Sequence, residues 1–522
     1  MGSCGGRRLG LVIGESTPDR STVIFSMDAA RRVRAGSYLV GVSLEGCVLG
    51  IVERLVAGSL LYPGDMSNPL RAESVRASMG GRAEYYLRGS VRWLARVEDL
   101  ARGRIMAPKH PVLPGTDVYS VSKDLLSTVF SPRAPGWARL GEVQPDGVEY
   151  RVNLNRLTRH LAILAVTGGG KSNTVCVLTR QLVSHGATVV LFDMHGEYGD
   201  LGLGRSVQEH DPASVNPAAL DFSEVLRLVR MPANAINQER ILRWAWKNAI
   251  KLYRASLIRS SEILDIVRGL VKDLAENNRE TYNKLRESGG SLEAPPGGMK
   301  QDQAQGVLNK LDDLQDYYGD ILNPKLPLEL ERVIRPGGLT VFNLSSLDEQ
   351  GADAVVSHYL RRLLQERKRF KSQGKGYPSP VLAVVEEAHV LIPNGEDTLT
   401  KYWAARVARE GRKFGLGLAL VSQRPRNVDP DVLSQTNNKI ILKMVEPQDI
   451  RYVQAASEDL TEDLSSLLPS LNPGEAVVIG TMTRLPAVAK IDLCKGKKGG
   501  GDIPLIPEER GESGEDLLDQ VF

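Results

Sequence analysis

Cysteine is scarce in this chain. Cys4, Cys47, Cys176 and Cys494 are scattered with no CxxC pair, which argues against a zinc site and predicts a reduced, cytoplasmic protein without a disulfide framework. Long apolar runs are missing too: none approaches the roughly 18–20 residues of a membrane span, and the opening MGSCGGRRLG lacks the apolar stretch of a secretory signal. Gly6 stands where a myristoylation signal needs Ser or Thr, so no membrane attachment is expected. Nor is there a strong excess of one charge. A net of +3 over 522 residues offers no global electrostatic argument for nucleic acid, although residues 1–118 hold fifteen Arg and one Lys against eleven acidic residues, a local net of +5. What is there, 42% apolar and 25% charged residues, is ordinary globular composition with core enough for two or three domains.

The chain is organised around residues 161–174, LAILAVTGGGKSNT. An apolar strand breaks into Gly168, Gly169 and Gly170, whose backbone can turn with positive φ and bring N–H groups to phosphate oxygens. The helix that follows aims its N-terminal dipole at the same anion. Lys171 supplies a positive charge for the β- and γ-phosphates of ATP, and Ser172 a hydroxyl suited to Mg²⁺. Ala165 occupies the place usually written as the first glycine, so the cradle must tolerate a methyl group there. The bland alternative is a flexible Gly-rich loop, but the strand before it and the amphipathic TVCVLTRQLVSH after it are the context a phosphate loop requires.

Around this loop the pattern changes several times. Residues 1–118 alternate with a period near two between Gly, Pro and charged breaks, which predicts a small antiparallel β-barrel or sandwich with a structural or docking role. Residues 119–222 carry a proline-punctuated connector, with Arg156, Arg159 and His160 just before the phosphate-loop strand, and then the first part of an α/β motor domain. Its second strand, TVVLFD, ends at Asp193, where open α/β sheets collect ligand contacts and where a further metal contact is expected. Residues 223–325 are helical and read as an inserted bundle whose Trp244 and Trp246 belong to the core. Residues 326–494 return to βα units, giving a mostly parallel sheet covered on both faces. Residues 495–522 are a Gly- and charge-rich tail, expected to be a mobile end.

A second constellation follows in VLAVVEEAH, where a strand runs into Glu386 and Glu387. Neighbouring strand residues face opposite ways, so the pair can divide labour: Glu386 for the Mg²⁺ shell, Glu387 to orient or deprotonate the attacking water. The competing reading is a charge pair at a strand end, and His389 can equally cap the turn. Gln423, at the mouth of the next strand, suits sensing of the γ-phosphate. Arg406, Arg409, Arg412 and Lys413 lie between these strands, and Arg412 is the candidate to approach a neighbouring subunit's phosphate.

Together GGGKSN, LFDMHGEY, VVEEAH, AREGRKFG and SQRP resemble the archaeal HerA family of hexameric DNA translocases, within the FtsK/HerA group of RecA-like motor ATPases. The resemblance spans nearly the whole chain and implies a RecA-like α/β fold, a HAS-barrel-like N-terminal domain and an inserted helical bundle. It further implies nucleotide and Mg²⁺ on Lys171, Ser172 and Asn173, Glu387 as catalytic carboxylate, Arg412 as arginine finger, and Arg159 and Lys490 as further nucleotide contacts. The implied activity is ATP-driven movement of a homo-hexamer on duplex DNA, with a NurA-like nuclease partner in end resection and recombinational repair. Two other readings stay open: a VirB4-like conjugation or secretion motor, and a nucleotide-switched scaffold that scarcely turns over.

Overall fold

A computed structural model describes residues 6–78, 85–199 and 201–494; the tail 495–522 lies outside the described residues. The N-terminal part is a closed six-stranded barrel, β1 (Arg8–Ser16), β2 (Arg20–Phe25), β3 (Tyr38–Ser43), β4 (Gly46–Gly58), β5 (Tyr86–Arg96) and β6 (Asp117–Ser120), in the order β1-β2-β5-β4-β3-β6. Its alternation is the predicted one: along β5 every second residue from Gly89 to Ala95 is buried. A boundary at residue 118 cuts β6, which pairs with both β1 and β3 and closes the barrel. The segment between β4 and β5 also holds a ten-residue helix, Pro69–Ser78, with no buried residue, where the sequence pattern predicted no helix of that length.

The barrel is not a freestanding module. Tyr38, Leu49 and Ile51 belong to the same hydrophobic core as Leu140, Tyr150 and Val152 of the segment read as a connector. That segment forms an antiparallel hairpin, β7 (Trp137–Val143) and β8 (Val148–Asn153), which extends the main sheet. Tyr38 also donates its hydroxyl to the Pro486 carbonyl at 2.6 Å. Glu53 of β4, wholly buried, accepts the Thr461 hydroxyl at 2.7 Å and pairs with Arg20 at 3.2 Å.

The main sheet continues with β9 (Leu161–Leu164), β10 (Thr188–Asp193), β11 (Val207–His210), β12 (Leu339–Asn343), β13 (Val381–Val385), β14 (Leu416–Ser422), β15 (Asn438–Ile441), β16 (Glu475–Gly480) and β17 (Ala487–Ile491). The eleven strands run β11-β12-β10-β13-β14-β9-β15-β16-β17-β7-β8. Pairing is parallel from β11 to β15 and antiparallel from β15 to β8. Strands β9, β10, β12 and β13 are buried at every position, as parallel strands with helices on both faces must be.

Between β11 and β12 the chain builds the helical insertion, including Phe222–Leu228, Ile236–Arg254, Ile263–Ala275 and Gln301–Tyr318. Trp244 and Trp246 are buried, and Trp244 donates its indole N–H to the Glu293 carbonyl at 2.9 Å, so they are core rather than a stacking platform. The insertion is fastened by Glu224, buried and bonded to Arg361 at 2.7 Å and to His358 at 2.9 Å on the helix Glu349–Gln373. Two unlike charges and one imidazole nitrogen pair with one another there, so the junction is specific as well as apolar.

Cysteine scarcity misled on one point. Cys176, in the helix after the phosphate loop, and Cys494, just past β17, form a disulfide across 318 residues. No sequence spacing announces a pair so distant; the fold makes it by laying the end of β17 alongside that helix.

Candidate active site

In an open parallel sheet the loops leaving the strand ends on one edge converge, and β10, β13, β14 and β9 are neighbours. The four motifs picked out in the sequence therefore meet at one edge. The phosphate loop leaves β9 and enters the helix Lys171–Ser184, whose N-cap is Gly170 at φ 101°. Gly168 is also left-handed at φ 73°, but Gly169 is not. Gly169 is needed for a different reason: a Cβ there would lie 3.0 Å from both the Ala165 methyl and the Val166 carbonyl oxygen. The methyl that departs from the usual pattern is thus accommodated in the room Gly169 leaves.

Glu386 and Glu387 follow β13 rather than ending it, and Glu387 has the left-handed backbone φ 44°, ψ 47°. The two carboxylates therefore diverge at a strained turn and not by strand alternation. Glu386 is buried; its Oε1 accepts the Tyr198 hydroxyl at 3.0 Å and its Oε2 the Met194 N–H at 3.1 Å. Burial, with Asp193 alongside, pushes its carboxyl up to about 8. Glu387 faces the opposite situation. Burial raises its carboxyl, but His389 at 3.1 Å, Lys171, and His195 at 3.6 Å outweigh it and hold Glu387 below its ordinary value. One glutamate is thus kept ionised and the other readily protonated in the free protein.

Gln423 closes the loop cluster by accepting the Thr167 hydroxyl at 2.7 Å, which ties the end of β14 to the phosphate loop. Lys490 arrives from β17, its Nζ donating to the Pro473 carbonyl at 2.5 Å, while Gly474 next door donates its N–H to the Gly169 carbonyl at 3.3 Å. Lys171, Ser172, Glu386, Glu387, Gln423 and Lys490 are therefore gathered at one edge. A hydroxyl and a carboxylate form an oxygen donor set suited to Mg²⁺, and Ser172 and Glu386 meet at the same phenol, that of Tyr198.

Two expected contacts also have structural tasks. Asp193 is wholly buried and accepts the N–H groups of His195, Gly196 and Tyr198 at 3.2, 2.8 and 2.9 Å, so it fastens the DMHGEY loop. The Asn173 side chain donates to the Asp492 carbonyl at 2.9 Å and accepts the Cys494 N–H at 2.8 Å, which binds the helix to the end of β17. Conversely, Tyr198, His195 and Thr167 contact the key groups and were missed. Tyr198 and His195 lie in the same LFDMHGEY motif as Asp193, but residue type alone marks only its aspartate.

Arg159 and Arg412 are elsewhere. Arg159 precedes β9 and Arg412 precedes β14, so both stand at the sheet edge where those strands begin, away from their own phosphate loop. They are near one another: partial burial and the charges of Arg412 and Arg156 lower the Arg159 guanidinium. His160 lies beneath, its Nδ1 accepting the Leu418 N–H at 3.0 Å, and burial drives it down to about 4. The turn Gly411–Phe414 that carries Arg412 is held by Arg367, which donates to the Phe414 carbonyl at 2.8 Å, and by Lys371, which donates to that of Lys413 at 2.7 Å.

Residues 138–363 match a family model described as "Helicase HerA, central domain". The chain is 38% identical over 507 residues to the DNA double-strand break repair helicase HerA of Sulfurisphaera tokodaii, covering 96% of each chain. It is 37% identical over 502 residues to the helicase of the same description from Saccharolobus solfataricus, covering 96% of this chain and 95% of that one. Among solved structures, VirB4 of Thermoanaerobacter pseudethanolicus aligns at TM-score 0.47 and 16% identity, over 70% of this chain and 98% of its own. With such identity sustained from barrel to last strand, the chain belongs to the HerA helicase family and is an ATP-hydrolysing P-loop enzyme.

Proposed function

We propose that the protein is an ATP-driven translocase of duplex DNA, working as a homo-hexameric ring whose nucleotide sites lie between subunits, in DNA end resection with a NurA-like nuclease. The observation that carries the ring is the separation of charges within one chain. Lys171 meets the phosphates from the loop edge, whereas Arg412 and Arg159 present their charge at the opposite edge. Strands such as the seven-residue β14 span about 20 Å between those edges, too far for Arg412 to serve its own site. A neighbour turned so that this edge faces the phosphate loop brings the missing charge.

Within the site, Lys171 holds the β- and γ-phosphates. Ser172 and Glu386 would hold Mg²⁺, which when bound neutralises phosphate charge. Glu387, kept ionised, takes a proton from the attacking water, and Arg412 of the neighbour meets the charge that spreads over the γ-phosphate. The Gln423–Thr167 bond connects γ-phosphate occupancy to the end of β14. The DNA assignment follows the printed names of the relatives; the nuclease partner is a family expectation. Glu387 opposes a scaffold that does not turn over.

The test is the ATPase rate with and without duplex DNA, beside the particle mass in the same buffer. Stimulation by DNA in a particle of six chains is expected. A rate indifferent to DNA, or an active monomer, would overturn the proposal.

A further inference from the structure

Tyr198 is wholly buried, and its place in the chain is set by its own N–H on Asp193 Oδ2 at 2.9 Å. Its hydroxyl donates to Glu386 Oε1 at 3.0 Å, and the Ser172 side chain lies within reach of the same phenol. A phenol has one hydrogen to give and lone pairs to receive with. With its hydrogen committed to Glu386, it can take the hydrogen of Ser172, which leaves the serine lone pairs free to face the phosphate cradle. It also fixes one oxygen of Glu386, while Met194 N–H, at 3.1 Å, fixes the other. A phenylalanine there would keep the ring's packing and leave both polar groups to reorient.

We infer that Tyr198 is a positioning residue for the divalent cation, aligning Ser172 and Glu386 as a pair before metal and nucleotide arrive. The inference rests on the reading of those two residues as the protein's oxygen donors to Mg²⁺. Groups that orient metal ligands through hydrogen bonds typically govern about 10- to 100-fold in metal affinity.

The experiment uses the full chain with a fluorescent ATP analogue, titrated once with EDTA and once with saturating Mg²⁺, for wild type, Tyr198→Phe and Ser172→Ala. Mn²⁺ binding in the presence of ATP, followed by electron paramagnetic resonance, is the second readout. For Tyr198→Phe the metal-free affinity should match wild type, while the gain given by Mg²⁺ and the Mn²⁺ affinity both fall by about tenfold or more. A merely structural loss would lower the metal-free affinity as well, and that result would overturn the inference. An undiminished metal effect in Tyr198→Phe, with the effect lost in Ser172→Ala, would overturn it while leaving the site intact. An undiminished effect in Ser172→Ala would overturn the underlying site. If Tyr198→Phe fails to fold, a difluorotyrosine placed at position 198 keeps the hydroxyl while altering its hydrogen bonding. A smaller loss in the same direction then supports the inference, and no change overturns it.

Discussion

Lys171 and Arg412 stand at opposite edges of the parallel part of one sheet, Lys171 beyond the end of β9 and Arg412 before the start of its neighbour β14. One chain therefore holds these two charges apart, and the proposed shared site rests on that separation.

Glu387→Gln should leave ATP affinity close to wild type while turnover falls about 10²- to 10⁴-fold, since an amide can hydrogen-bond the water but cannot take its proton. Equilibrium nucleotide binding beside single-turnover hydrolysis checks this. Loss of binding would instead make Glu387 a ligand of the metal or nucleotide.

Gly169→Ala places a methyl 3.0 Å from the Ala165 methyl and the Val166 carbonyl oxygen, so the phosphate loop must widen. Nucleotide affinity should drop by about tenfold or more, the effect of roughly 1.4 kcal/mol. The double variant Gly169→Ala, Ala165→Gly should recover part of the loss, because one of the two clashes is removed. No recovery would mean that the carbonyl contact alone decides the loop's shape.

The two glutamates give a pH signature. The Glu386 carboxyl lies at about 8 in the folded protein against an ordinary 4.5, so between those values the folded state holds the proton more tightly than the unfolded. Its contribution is fully present below about 4.5 and is lost as pH rises through about 8, at most about 1.4 kcal/mol for each pH unit. Glu386→Gln removes the titration and keeps a side chain able to accept from Tyr198. In metal-free buffer its melting temperature should therefore gain on wild type as pH rises from 5 to 8. A difference that does not change with pH would contradict the protonated state.

Cys176→Ala should lower the melting temperature by several degrees and reduce the effect of reducing agents on stability, with ATP affinity little changed; disulfides commonly contribute about 2–4 kcal/mol. Equal melting of wild type with and without reductant would show that the bond does not form in solution.

The parts legible in the sequence are those written in local pattern: the glycine loop, the apolar strand running into two glutamates, the period-two barrel, and the helical stretch between sheet strands. What is not legible depends on which partners side chains find and on how the backbone turns. Asp193 and Asn173 are polar residues in the expected loops, yet their hydrogen bonds go to backbone groups: a turn two to five residues on, and a strand end some 320 residues away. The left-handed turn at Glu387 leaves no mark on residue type, and β11 has only four residues. The barrel's alternation revealed its fold but not that Tyr38, Leu49 and Ile51 share a core with β8.

The most direct test of the shared site mixes two inactive proteins. Arg412→Ala should bind ATP without hydrolysing it, and Lys171→Ala should lose the phosphate contact. After subunit exchange, a mixed ring contains interfaces where an intact Lys171 meets an intact Arg412. The ATPase rate plotted against mixing ratio should rise from near zero at either end to a maximum between them. No recovery at any ratio, with mixed rings confirmed by mass, would contradict a site completed from the neighbouring subunit.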